Sequence, residues 1–159
     1  MGEMQACAFT GHRTLPYGEI EAIRGLIDRA IRYAYAQGCR TFYNGGAIGF
    51  DIETAERVLA LRSEYPDVHL CFLLPCKNQD AKWSAEQKRR YKNVLSLADS
   101  VEYIREVYTE NCMRERNEEL VRRADMLVAY LSHFRSGAYQ TVAMAKRKGI
   151  PVYNLFNKE

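Results

Sequence analysis

Glycine, arginine, histidine and amide residues gather in four short segments of this chain, each with the composition of an anion or nucleotide site. The first, TGHRT at residues 10–14, offers Gly11 for close backbone approach, His12 as donor or acceptor, and Arg13 as a two-pronged partner for phosphate or carboxylate. The plainer alternative is a strand-ending glycine with solvated neighbours. The second, NGGAIGFD, opens at Asn44; Gly45, Gly46 and Gly49 let backbone N–H groups turn toward an anion at a following helix N-terminus, where the dipole also favours negative charge. Its GGxxG spacing is neither the dinucleotide fingerprint GxGxxG nor a Walker loop. Asp51 has the wrong charge to touch phosphate; it suits a ribose hydroxyl, or it caps the helix by accepting a backbone N–H bond. Glu53 and Glu56 follow on the same helix, where a solvated face is the default.

In the third segment, MRERNEELVRRAD at 113–125, Asn117 falls three and four residues before Leu120 and Val121, on or beside the apolar stripe. A buried amide there needs partners in the protein or in a ligand. Arg116 reaches toward the same place, unless it and its neighbours Arg114, Arg122 and Arg123 simply pair with Glu115, Glu118 and Glu119. The fourth segment, SHFRSGAYQT at 132–141, has Ser136 placed as an N-cap and Gly137 opening a helix with free N–H groups. Thr141, with Ala138 and Ala145, allows close packing on a sheet.

Other chemistry is poorly supported. Cys76 follows Pro75 in a loop where it could be exposed, but with no base nearby in sequence it reads as an ordinary loop thiol, while Cys7 and Cys71 read as strand packing residues. The five cysteines are odd in number and contain no CxxC pair, and no HExxH, GxSxG or Asp/His cluster occurs, so neither disulfide framework, metal nor cofactor is expected. Lys82, Lys88, Arg89, Arg90 and Lys92, with Trp83 and Tyr91, could touch nucleic acid, but a solvated helix face explains them as well.

Six short apolar runs position these segments: residues 6–10, 41–45, 68–75, 100–104, 125–131 and 150–156. Runs apolar on both faces suit buried parallel strands. Helical periods lie between them, such as Ile20, Ile23, Ile27, Ile31 and Ala34 ahead of Gly38, and Ala138, Thr141, Val142 and Ala145 ahead of Gly149. Alternating strands and helices imply a single α/β domain over residues 1–159, a mainly parallel sheet of about six strands flanked by helices. Such sheets bind ligands beyond the carboxyl ends of their strands, and all four segments lie there or on the helices that follow. The 159 residues could bury about 69% of their unfolded surface, enough for a core without covalent staples. A formal net charge of +3 announces no nucleic-acid partner by itself. The opening MGEMQA has no basic or apolar leader and no myristoylation pattern, and no apolar run approaches the roughly 20 residues that span a bilayer. A cytoplasmic chain without membrane contact is therefore expected.

In order and spacing, FTGHR, NGGAIGFDIETAERVL, RERNEELVRRADMLVAY and SGAYQTVAMAKRKGIPVY resemble the SLOG superfamily of Rossmann-like domains, which groups DprA, the LOG phosphoribohydrolases and the YpsA-like proteins. The length and the TGHR start are most similar to the YpsA-like group, and the later motifs look similar to the DprA core pattern. The resemblance implies one pocket lined by Gly11, His12 and Arg13, by Gly45, Gly46, Gly49 and Asp51 with Asn44 at the head of their loop, by Arg116 and Asn117, and by Ser136, Gly137 and Thr141. That pocket would bind or sense a nucleotide or nucleotide-derived small molecule. Two alternatives stand beside this expectation. One is a nucleoside-monophosphate phosphoribohydrolase, an N-glycosidase using Asp51, Glu53 or Glu56, although the late loop SGAYQT lacks the glutamate of the LOG motif. The other is a module for single-stranded nucleic acid, less favoured because DprA-like proteins bind DNA through basic surface beyond the core. A homo-oligomer is compatible with either.

Overall fold

Side-chain alternation along the strands shows why the apolar runs are unbroken. In β1 (Ala6–Gly11), Cys7 and Phe9 enter one core cluster and Ala8 the other; in β5 (Met126–Tyr130), Met126, Val128 and Tyr130 face one way, Leu127 and Ala129 the other. Both faces of the sheet are covered, so both registers of the period-2 pattern must be apolar. The larger cluster lies under α1 (Ile20–Ala36), α2 (Phe50–Leu61) and α3 (Ala85–Leu97). The smaller lies under α4 (Cys112–Arg123) and α5 (Gly137–Lys148), where Ala8, Ala124, Ala129, Ala138 and Ala145 let helices and sheet approach closely.

These features come from a computed structural model that describes residues 4–156. Met1, Gly2 and Glu3, inspected above for a leader or acylation signal, lie outside the described residues, as do the last three. The remaining strands are β2 (Thr41–Asn44), β3 (His69–Leu74), β4 (Ser100–Tyr103) and β6 (Val152–Asn154). All pair in parallel in the order β4-β3-β2-β1-β5-β6. The chain steps outward from β1 to β4, and α4 then carries it back to β5 on the far side of β1. Adjacent connections thus diverge at β1 and β5, which makes their carboxyl ends the switch point of the sheet.

Six parallel strands and five helices agree with the expected architecture, with one correction. β4 is a largely exposed edge rather than a buried strand: Glu102 faces solvent and pairs with Arg123, and Tyr103 is 39% exposed. It closes the sheet with polar side chains, a common protection for an edge.

Two helices, α3 and α5, start on a capping serine. Ser84 and Ser136 accept N–H bonds from Gln87 and Tyr139 at the starts of α3 and α5, and Gly149 ends α5 in the left-handed region, φ 90°. Lys148 donates through Nζ to the carbonyls of Val121, Arg122 and Ala124 at 2.8–3.0 Å, capping α4 from the neighbouring helix. A cation at that end also complements the helix dipole. Lys148→Met therefore lowers unfolding stability by about 1–2 kcal/mol, measured by urea denaturation, whereas Arg147→Met on the exposed face changes it by less than about 0.5 kcal/mol.

Candidate functional site

At the switch point the loops after β1 and β5 part around a cavity of about 420 Å³. Its walls come from Thr10–Thr14, from Ala47 and Asp51 at the start of α2, from Met113, Arg116, Asn117 and Leu120 along α4, and from His133, Ser136, Gly137 and Ala138 leading into α5. Four elements far apart in sequence meet there because α4 crosses the sheet face behind β1 while α2 begins in front of it.

Close packing forces the loop shapes. A Cβ on Gly11 would stand 2.5 Å from the Phe50 ring, so a side chain there would push α2 off the end of β1. Gly49, at φ 85°, packs against the carbonyls of His12 and Arg13, and the Phe50 N–H donates to the His12 carbonyl at 3.1 Å. His12 works as a clip. Its N–H donates to the Tyr130 carbonyl at 3.3 Å, and its Nε2 accepts the Ser132 N–H at 2.8 Å, which assigns the ring proton to Nδ1 when the imidazole is neutral. Burial, with His133 stacked on it at 4.1 Å and 4°, lowers the His12 pKa. It is thus a neutral acceptor holding two loops together, not a cation awaiting an anion.

Arg116 and Asp51 supply the charge. Both are buried, at 5% and 6% exposed, both line the cavity, and no direct ion pair joins them. Arg116 donates from Nη1 to the Gly45 carbonyl and from Nε to Asn117 Oδ1 at 2.8 Å, while Nη2 meets only the Met113 sulfur, at 3.8 Å. Asp51 Oδ2 accepts the Ala47 N–H at 3.2 Å, and Oδ1 is buried with no hydrogen-bond partner. Asp51 therefore braces the preceding loop instead of capping α2, whose N-cap is Gly49. Burial pushes its carboxyl up to about 6, against the opposing pull of Arg116, the Ala47 N–H and Arg13. Burial likewise lowers the Arg116 pKa, partly offset by Asp51.

A family model described as the YspA SLOG family matches residues 8–154. The chain belongs to that family. A UPF0398 protein of Bacillus cereus strain AH820 is 26% identical over 156 residues, covering 92% of this chain and 85% of the relative. Among solved structures, DNA processing protein A from Helicobacter pylori, described for its single-stranded DNA binding mode, superposes with a TM-score of 0.66 at 18% identity, covering 94% of this chain and 64% of that one. The structure of TM1055 gives a TM-score of 0.58 at 15% identity, covering 94% and 72%. At these identities the structural likeness is one of fold.

Within this SLOG chain, Gly11, His12, Arg13, Asp51, Arg116, Asn117, Ser136 and Gly137 reach the cavity wall. Five expected residues stand behind it. Asn44 is fully buried, donating to the Asp51 carbonyl at 2.9 Å and Thr54 Oγ1 at 3.0 Å, and accepting the Gly46 N–H at 2.8 Å. Gly45 backs onto Arg116; Gly46 turns toward Leu74 and Tyr91; Gly49 braces Arg13; Thr141 bonds to the Gly137 carbonyl at 3.0 Å inside α5. The glycine loop shapes the wall without presenting a row of donors.

Glu53, Arg90 and Cys76 stand elsewhere than expected, and Arg116 takes the inward of its two alternatives. Glu53 is buried between Arg24 and Arg90, at 2.8 and 3.1 Å, on a flank of α2 away from the cavity, with Glu56 sharing Arg90. Arg90 accordingly belongs to this network and not to a solvated basic face. Arg116 leaves the local pairing that does hold Arg114, Arg122 and Arg123. Cys76 is fully buried. His133, Met113 and Leu120 line the cavity as well, outside the expected set; the last two lie one helical turn from Asn117, a spacing the sequence carries. Among the described residues no group of three or more His, Cys, Asp or Glu could hold a metal ion.

A carbon-detected NMR titration of the ligand-free protein is expected to find the Asp51 carboxyl midpoint near pH 6, and Arg116→Met to move it upward because an opposing positive charge is removed. Since the folded value lies above the ordinary aspartate value, Asp51's stabilising contribution is full below about pH 4 and is lost as pH rises through 6, a span worth about 3 kcal/mol.

Proposed function

We propose that the protein binds a nucleotide or nucleotide-derived ligand carrying a phosphate. The observation that supports this most is the pair of under-satisfied buried groups in one cavity: an Asp51 oxygen without a donor, and an Arg116 whose outer nitrogen meets only a thioether. A ribosyl phosphate offers hydroxyls to donate to the carboxylate and anionic oxygens to accept from the guanidinium. Arg13 on the rim and the N–H groups opening α5 at Gly137 add positive potential. The cavity volume falls within the 300–1,000 Å³ typical of small-molecule sites.

Asp51 also supports a second reading, a phosphoribohydrolase. A carboxyl near pH 6 in a buried cavity has the protonation behaviour of a general acid or an oxocarbenium stabiliser. Glu53 and Glu56 contribute nothing to it, being held by arginines outside the cavity. The solved DNA processing proteins raise a third, single-stranded nucleic acid.

A thermal-shift panel of nucleoside monophosphates, ADP-ribose, ribose 5-phosphate and dinucleotides tests the binding. A ligand at 100 times its Kd adds about 2.7 kcal/mol, several degrees for a chain of this size. Arg116→Met abolishes that shift. Chromatography of the same mixtures shows intact ligand; free base released catalytically, and lost in Asp51→Asn, would replace the binding reading with the hydrolase.

A further inference from the structure

The cavity changes character from its floor to its mouth. Arg116, Asp51 and Asn117 lie inside, each no more than 9% exposed, whereas the loop from β5 to α5 carries aromatic side chains into solvent. In that loop His133 and Ser136 line the cavity, and Phe134, between them in sequence, is 74% exposed. Tyr139, in the first turn of α5, is 40% exposed and meets Phe134 edge to face, ring centroids 5.4 Å apart at 62°. The stack of His133 on His12 anchors the base of this loop to the end of β1, so the aromatic pair stands on a fixed foundation. A single exposed phenylalanine needs no explanation, but here two exposed rings brace each other on the segment whose His133, Ser136, Gly137 and Ala138 line a cavity with an unpartnered buried carboxylate oxygen, although neither ring itself lines it.

We propose that Phe134 and Tyr139 form a base-stacking platform at the cavity mouth, so that the ligand is a mononucleotide whose base lies on Phe134 while its ribosyl phosphate enters the cavity. The inference rests on the ribosyl-phosphate reading above and extends it to the base. An edge-to-face pair leaves a Phe134 ring face open for a planar heterocycle, the offset arrangement aromatic rings favour. Recognition through a π-face tolerates any base and favours the larger purines, since every base has such a face. A free nucleotide is preferred to a nucleic acid strand because the exposed arginines of α3 and α4, Arg89, Arg114 and Arg122, are paired with carboxylates, whereas strand binding relies on several basic side chains meeting phosphates.

Calorimetric titration with AMP and with ribose 5-phosphate tests this on the wild-type protein, Phe134→Ala and Phe134→Trp. The exposed position makes all three foldable. Phe134→Ala weakens AMP about tenfold or more while ribose 5-phosphate changes by less than about twofold, and Phe134→Trp retains or tightens AMP binding. Equal loss for both ligands, or no loss for AMP, overturns the platform while leaving the ribosyl-phosphate reading intact. Failure of both ligands to bind the wild-type protein removes that reading and the platform with it. Phenylalanine-dependent binding of a twelve-residue oligodeoxyadenylate without binding of AMP overturns the proposal in favour of single-stranded nucleic acid.

Discussion

Arg116 sits out of water, with the Asp51 carboxylate as an opposing charge that it does not touch. Removing a guanidinium from solvent costs several kcal/mol unless its donors are used, and here the fold uses them: one on the Gly45 carbonyl, another on the Asn117 amide oxygen. The bond to Gly45 ties α4 to the loop before α2 across the carboxyl end of the sheet, and the one to Asn117, within α4, fixes the guanidinium for it. The glycine at position 45 is part of the same constraint, since a Cβ there would stand 2.7 Å from an Arg116 nitrogen. Asn44 then holds the other side of that loop through the Asp51 carbonyl and Thr54. A buried charge thus organises its surroundings by requiring a partner from a loop 71 residues away in sequence as well as from its own helix.

The strands and helices were legible because burial on both faces leaves an unmistakable apolar run, and because Ser136 and Gly149 mark the ends of α5 by local chemistry. What could not be read depended on neighbours in space. Glu53 appears solvated on a helical projection, yet α2 lies between α1 and α3, and its partners Arg24 and Arg90 are 29 and 37 residues away. β4 has the composition of a strand but no helix over its outer edge, which only the topology reveals. Arg116 is surrounded in sequence by glutamates that suggest local pairing; its departure from that pattern follows from facing inward with Asn117, the one residue whose position on the apolar stripe was already informative.

Glycine-rich loops after strands invite the inference that every glycine faces a ligand. In this chain the loop from Asn44 to Gly49 turns two ways. Gly46, at φ 72°, lies against Leu74 and Tyr91, on the side of the larger core, and Gly49 packs under the backbone of Arg13. Their freedom serves loop–loop packing, and the groups that reach the cavity are the side chain of Asp51 and the residue Ala47. The site is consequently defined less by a cradle of backbone donors than by two buried side chains and the opening turn of α5.

This arrangement constrains which ligands suit the cavity. A bare anion could accept from Arg116 but would face the Asp51 carboxylate, raising its proton affinity further above the usual carboxylate range. Binding would then draw a proton onto Asp51 and weaken as pH rises. A ligand that combines anionic oxygens with hydroxyl donors avoids that opposition, because the hydroxyl satisfies Asp51 Oδ1 in its ionised form while the anionic end meets the guanidinium. The separation of Asp51 and Arg116 without a direct ion pair leaves both available for such a bifunctional molecule. Had they closed on each other, the carboxylate would have been satisfied within the protein and the cavity would carry little chemical preference at all.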